Sequence, residues 1–148
     1  MPNLPAGVMA IAAGSYHSFA IAASTSEVHA WGLNSYGQLG MPFDTAVQSS
    51  EQFSYFPKRV AQLCGRGVVA GDCGENHTVM LTAGGKVLTF GRCAYGRLGL
   101  ASVDPKDDEP HATPSEVEGL VGRAVAVAAG SSGNTAAGAY TRSLFSST

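Results

Sequence analysis

The chain has 148 residues, of which 45% are hydrophobic, only 14% are charged and 19 are glycine. This composition excludes an acidic tail, a coiled coil and a disordered segment, because all of these need more charge or less hydrophobicity. The formal net charge of −2, with scattered lysines and arginines, gives no electrostatic basis for nucleic-acid binding. Abundant glycine with little charge favours many short strands joined by tight turns.

The charge and the cysteines are both unevenly placed. Six acidic residues and one lysine lie within residues 100–118, so this segment carries the acidity of the chain. Cys64, Cys73 and Cys93 are an odd, widely spaced set, which indicates a reducing compartment. The apolar start of the chain lacks basic residues and is interrupted at residues 14–18, unlike a signal peptide or a spanning helix. We expect a soluble intracellular protein, cytoplasmic or nuclear, without membrane contact.

The predicted strands follow one another in two similar sets. The first set covers residues 8–13, 17–23 and 28–31, and the second covers 68–70, 77–82 and 87–90. Residues 41–57 and 100–114 follow these sets, lack helical periodicity, and are predicted to be irregular loops. The expected fold is all-β, built of three- to four-stranded units like propeller blades. An irregular β-sandwich with two similar hairpins is the alternative.

The chain repeats itself at a spacing of about sixty residues. Residues 12–40 align with 73–99, and a third copy opens at 124–137 but has Gly133 at the histidine position. The predicted division is an N-terminal lead at 1–7, repeats at 8–63 and 64–120, and a degenerate partial repeat at 121–148. The repeated positions are Gly14, His17, Trp31, Gly32, Gly37, Leu39 and Gly40 in the first copy, and Gly74, His77, Phe90, Gly91, Gly96, Leu98 and Gly99 in the second.

The repeated residues are predicted to be structural. A histidine that recurs once per unit fits a hydrogen bond between strands or blades better than a general base or a metal ligand. The glycines predict positive φ or close backbone approach, and Trp31 and Phe90 are predicted to lie in the blade core. Because no catalytic, metal-binding or phosphate-binding spacing is present, we expect no catalytic residue, no metal and no cofactor.

The candidate partner-binding residues lie where the two copies differ. Loops on a rigid scaffold often carry binding, although a solvated, mobile loop is the simpler interpretation of the acidic segment. Aromatic side chains suit a protein interface, and acidic side chains suit a basic partner surface. The candidates are Phe43, Phe53, Tyr55 and Phe56 in the first inter-blade segment, and Asp104, Asp107, Asp108 and Glu109 in the second.

The motif WGLNSYGQLG at residues 31–40, after G-x-x-H-S and an apolar run, resembles the regulator of chromosome condensation repeat. The second copy departs from it, with Phe90, Cys93 and Arg97 replacing Trp, Asn and Gln. The resemblance covers residues 8–137 and implies a ring of four-stranded antiparallel blades, seven in the usual member. It implies a non-catalytic protein–protein interaction module. The alternatives are guanine-nucleotide exchange on a Ran-like small GTPase, or substrate recruitment within a larger enzyme such as a ubiquitin ligase.

The length predicts that the ring is incomplete, because propellers contain about four to eight blades. A fragment of a longer protein, an oligomer that completes the ring, and a decayed copy would each account for two and a half repeats. Exposed blade faces and open sheet edges would also favour self-association.

Overall fold

A computed structural model describes residues 7–44, 46–48, 51–104, 106–130 and 138–142. The first sheet consists of β1 (Val8–Ala13), β2 (His17–Ala22), β3 (Val28–Leu33) and β4 (Phe53–Arg59). The second consists of β5 (Val68–Cys73), β6 (His77–Thr82), β7 (Val87–Arg92) and β8 (Pro110–Glu116). A third, two-stranded sheet pairs β9 (Arg123–Ala128) with β10 (Gly138–Arg142).

The sheets have the topology of propeller blades. Neighbouring strands are antiparallel and follow chain order in both four-stranded sheets. This confirms the expected all-β partial propeller, whose sheets are not closed into a ring within the described residues. Gly133 and residues 131–137 and 143–148 of the predicted partial repeat lie outside the described residues, as do residues 1–6 of the N-terminal lead. No helix in the described part of the chain is long and apolar enough to cross a membrane.

Both segments predicted to be irregular end in strands. β4 begins within residues 41–57 and β8 begins within 100–114, so the prediction is wrong for the second part of each. Each outer strand contains a register shift against its neighbour, and Pro57 and Pro114 lie within the two shifted regions. Proline is tolerated on an edge strand at such a bulge, but it disrupts the alternation that identifies a strand in sequence. Short 3₁₀ turns follow β4 at Ala61–Leu63 and β7 at Ala94–Gly96.

The main core lies between the first two sheets. Phe19 and Ile21 from β2 pack in one cluster with Met80, Leu88 and Phe90 from the second sheet. Trp31, at the position that corresponds to Phe90, is only half-buried, contrary to the expectation of a blade-core residue. The difference arises because Phe90 faces the first sheet, whereas no described sheet packs on the face of the first sheet that carries Trp31.

Glycine is required where the backbones approach most closely. Gly91 has φ of 113°, and a Cβ there would lie 2.5 Å from the carbonyl oxygen of Asn76. Gly14 lies at the junction between sheets, where a Cβ would overlap the carbonyl oxygen of Gly74. In the same way, a Cβ on Gly74 would lie 2.8 Å from the carbonyl oxygen of Gly130. The repeated Gly14 and Gly74 therefore allow consecutive sheets to pack at the ends of their inner strands.

Candidate interaction surfaces

Three aromatic side chains of β4 form the first candidate surface. Tyr55 is 83% exposed and Phe56 is 65% exposed, and the rings of Phe53 and Tyr55 stack with centroids 6.1 Å apart. The Ser54 hydroxyl donates to the Phe56 carbonyl oxygen at 2.7 Å and holds the bulged backbone. We call Phe53, Tyr55 and Phe56 the aromatic surface.

The aromatic surface is not part of the repeat. Aligning Pro57 with Pro114 places Pro110, Ala112 and Thr113 of β8 where β4 has Phe53, Tyr55 and Phe56. Both outer strands have the same bulge, so the fold does not require these aromatic rings. Phe43, the fourth aromatic candidate, lies in the loop before β4 and is half-buried. The structure therefore moves the candidate site from a loop to a strand.

We call the segment that carries Asp104, Asp107, Asp108 and Glu109 the acidic loop, and its own side chains hold its backbone. Asp104 and Asp107 accept hydrogen bonds from the backbone N–H groups of Lys106 and Glu109, at 2.9 and 3.0 Å. The Cys93 thiol lies 3.0 Å from the Glu109 carbonyl oxygen and ties the loop to the end of β7. All four acidic candidates have exposed side chains. The segment is thus a defined surface in the described structure and not a loop without internal contacts.

One of the four acidic candidates is already paired. Asp108 accepts two hydrogen bonds from the Arg92 guanidinium, both at 2.7 Å, and these bonds lower the pKa of its carboxyl group. The Arg92 guanidinium also lies over the Tyr36 ring, 5.1 Å from its centroid. Tyr36 belongs to the first sheet's loop, so Asp108 and Arg92 join the acidic loop to the preceding blade. Arg92 lies outside the repeated positions, so the repeat pattern does not identify it as a contact residue.

A buried polar contact joins the first two sheets. The Thr78 hydroxyl donates to the Gln38 carbonyl oxygen at 2.7 Å, so its oxygen accepts from His17 Nε2–H, also at 2.7 Å. His17 and Gln38 belong to the first repeat and Thr78 to the second. This contact supports the structural interpretation of His17. Thr78 follows His77 as Ser18 follows His17, and this repeated His–hydroxyl pair was a visible signal in the sequence.

Both repeated histidines are neutral at physiological pH. Burial, followed by the nearby His77, lowers the pKa of His17 from 6.5 to about 4. Burial, followed by the positive charge of Arg97, lowers the pKa of His77 to about 4. A neutral His17 with its proton on Nε2 is the form that the Thr78 contact requires.

The histidines should make the fold sensitive to acid. Between pH 6.5 and about 4 the unfolded chain binds protons at these sites that the folded chain does not, so stability falls as the pH is lowered. For His17 the loss should reach about 3 kcal/mol near the lower limit. Urea unfolding at several pH values measures this loss in the free energy of unfolding. His17→Gln keeps an N–H donor but cannot titrate, and should show a shallower pH dependence; an unchanged slope would contradict the assignment.

The described residues offer no evident catalytic centre. Within them, no group of three or more His, Cys, Asp or Glu side chains could hold a metal ion. Burial raises the pKa of the Cys73 thiol, which keeps it protonated and a poor nucleophile. All three cysteines are free thiols. What the described residues do offer are the aromatic surface and the acidic loop.

The sequence matches models of a known repeat family. The "Regulator of chromosome condensation (RCC1) repeat" matches residues 26–81 and 84–137, and a second model with the same description matches 9–38. Protein RCC1 of Candida albicans is 36% identical over 103 residues, which cover 70% of this chain and 21% of that protein. Probable E3 ubiquitin-protein ligase HERC3 of Homo sapiens is 42% identical over 94 residues, covering 64% of this chain and 8% of that protein.

Solved structures give the same result. Prp20p from Saccharomyces cerevisiae, in a study of its binding to Gsp1p and histones, has a TM-score of 0.67 at 27% identity, over 82% of this chain and 28% of that one. Human WBSCR16 has a TM-score of 0.69 over 87% of this chain and 32% of that one, and its 23% identity supports the fold alone. The chain thus spans about a third or less of each of these proteins.

Proposed function

Because the chain belongs to the regulator of chromosome condensation repeat family, we propose that it is a protein–protein interaction module without catalytic activity of its own. The observation that carries the proposal is the aromatic surface on β4. Its three side chains are largely exposed, and the second sheet has Pro110, Ala112 and Thr113 at the same positions. The second sheet has the same fold without these aromatic residues, so folding does not require them and they are available to bind a partner.

The chemistry of the aromatic surface suits a protein partner. Tyrosine and phenylalanine rings bury large apolar areas and fix few rotatable bonds, so they are frequent anchors of interfaces. The stacking of Phe53 on Tyr55 limits their motion before a partner arrives. We place the main contact of the module on this surface.

The acidic loop is a second contact in this proposal, for a basic partner. Asp108 pairs with Arg92, which leaves three carboxylates to attract a partner, those of Asp104, Asp107 and Glu109. Hydrogen bonds hold the loop that carries them in place. The Prp20p study reports on histones, which are basic proteins. A partner of this kind would be attracted electrostatically and would bind less tightly at high salt.

Binding to purified Gsp1p and to core histones tests the proposal. We expect at least one of them to bind, and the double variant Tyr55→Ala/Phe56→Ala to weaken that binding about tenfold or more. Tyr16→Ala is the matched control, because Tyr16 is a 58% exposed ring in the turn between β1 and β2 of the same sheet, away from β4. Asp104→Asn/Asp107→Asn should weaken histone binding and reduce its salt dependence. Wild-type binding by all of these variants would refute both surfaces.

The same samples separate this function from nucleotide exchange. The similarity to Protein RCC1 and to Prp20p makes exchange on a small GTPase the second candidate. We expect release of labelled GDP from Gsp1p at its intrinsic rate in the presence of the chain; faster release would establish exchange activity instead. Recruitment of substrates within a ligase such as HERC3 would use the same interaction surfaces. We also propose a cytoplasmic or nuclear location, in line with three free thiols.

A further inference from the structure

Two ion pairs lie at equivalent places in the first two sheets, but their charges are reversed. In the first sheet, Glu27 immediately precedes β3, and its carboxylate accepts a hydrogen bond at 3.0 Å from the Arg59 guanidinium at the end of β4. In the second sheet, Lys86 immediately precedes β7, and its ammonium group lies 2.7 Å from the Glu116 carboxylate at the end of β8. The outer strand therefore carries the positive charge in one sheet and the negative charge in the other.

The backbones around the two ion pairs are the same. Arg59 pairs with His29 in β3, and Glu116 pairs with Leu88 at the equivalent place in β7. The N–H group that follows each outer strand donates to the carbonyl oxygen of the first residue of β3 or β7, at 2.8 and 2.9 Å. Both outer strands have seven residues, and their register shifts lie at the same place. Backbone pairing therefore does not distinguish β4 from β8.

The buried residues of the two outer strands are also alike. Pro114 is the one buried residue of β8, and its counterpart in β4 is Pro57, which is buried as well. β4 buries the small Ser54 in addition. A valine follows each strand, and both valines, Val60 and Val117, pack in the hydrophobic clusters. Packing therefore does little to distinguish the two outer strands.

An outer strand of this kind is able to join the wrong sheet. In the described sheets, β4 and β8 are edge strands that pair on one side only. Long segments lead to them, residues 34–52 and 93–109. Packed sheets lie about 10 Å apart, which a segment of either length spans several times over. Exchange of equivalent elements, within one chain or between two copies, is a characteristic misassembly of repeat proteins.

The reversed charges oppose this exchange. With β4 on the second sheet, Arg59 would lie beside Lys86, and with β8 on the first sheet, Glu116 would lie beside Glu27. Each exchange replaces an attractive pair by a repulsive one. The four side chains are between 31% and 65% exposed, so each pair adds little to the stability of the fold. Discrimination between the two arrangements is larger, because it includes the attraction lost and the repulsion gained at both sites.

We propose that the ion pairs Glu27–Arg59 and Lys86–Glu116 specify which sheet each outer strand joins, so that β4 completes the first sheet and β8 completes the second. This role is independent of the partner that the chain binds. It nevertheless has a consequence for binding, because Tyr55 and Phe56 belong to β4. Correct pairing of β4 keeps the aromatic surface on the first sheet.

A variant that keeps both ion pairs but removes the reversal tests this role. Glu27→Lys/Arg59→Glu gives both sheets the same polarity, so each outer strand meets an opposite charge on either sheet. After refolding from urea, we expect at least about tenfold more of the exchanged arrangement than in the wild type. Nuclear Overhauser contacts identify the arrangement, because Lys58 lies opposite Ala30 in the native pairing and would lie opposite Thr89 after exchange. Sedimentation velocity detects exchange between two copies as a dimer.

Two further variants make the result specific. Glu27→Lys/Arg59→Glu/Lys86→Glu/Glu116→Lys inverts both pairs, so it restores the reversal between the sheets and should show the native contact alone, as the wild type does. Lys86→Glu/Glu116→Lys removes the reversal from the other side and should exchange like the first variant. Urea unfolding should give similar stabilities for all of them, because each keeps two attractive pairs. Native contacts alone in both double variants, or equal exchange in the fourfold variant, would overturn the proposal.

Discussion

Replacing Phe90 by alanine should lower the free energy of unfolding by about 3–5 kcal/mol, the usual cost of removing a large buried ring. Phe90 is fully buried between the first two sheets, in the cluster that contains Phe19 and Leu39. A Cβ on Gly40 would contact the Phe90 ring at 3.2 Å, so the ring is enclosed from the loop side as well. Urea unfolding followed by circular dichroism measures the change.

The control is the same substitution at the corresponding position of the first sheet. Trp31 is the larger residue, but it is only half-buried, because no described sheet packs on its face. Trp31→Ala should therefore cost less than Phe90→Ala, because Trp31 is partly exposed and lies outside the core cluster, so that its removal leaves no enclosed cavity between the sheets. Equal losses would mean that Trp31 is covered in solution, and would contradict the arrangement of faces described above.

Thr78→Val should lower the free energy of unfolding by about 2–4 kcal/mol, although valine has nearly the same shape as threonine. The substitution leaves two buried groups without a partner, the Nε2–H of His17 and the carbonyl oxygen of Gln38. Thermal and urea unfolding both measure the loss. The effect should exceed that of most single substitutions, because the polar groups are removed from water on both sides of the sheet junction.

Two further variants make the Thr78 result specific. Thr78→Ser retains the hydroxyl and should recover most of the stability that valine loses. Thr113→Val changes an exposed threonine of β8 and should alter stability by less than about 0.5 kcal/mol. If Thr78→Ser were as unstable as Thr78→Val, the methyl group and not the hydrogen bonds would be responsible.

The inner strands could be predicted because their determinants are local. The predicted strands at 8–13 and 77–82 have the observed bounds of β1 and β6, and the ends of the other predicted strands differ by one to three residues. The outer strands could not be recognised, because the bulges around Pro57 and Pro114 disrupt the alternation. Only pairing with β3 and β7 shows that these segments are strands.

The candidate surfaces were predicted in part. Tyr55 and Phe56 were selected because the two repeats differ there, and both are exposed. Asp108 was predicted on its charge alone. Its ion pair with Arg92 joins residues sixteen positions apart, and no local sequence pattern indicates it. The partners of Thr78 are His17 and Gln38 of the other repeat, so the repeated His–hydroxyl pair indicates a shared role, but only the structure shows which groups meet.

The sequence by itself determined the repeat, its strand-forming segments and the family, because these depend on residue types at fixed spacing along the chain. The tertiary structure decided which of two equivalent positions is buried. Phe90 and Trp31 occupy the same place in their repeats, yet Phe90 is fully buried and Trp31 is only partly buried. The physical reason is that burial depends on the neighbouring sheet, and equivalent residues in successive repeats do not have the same neighbour.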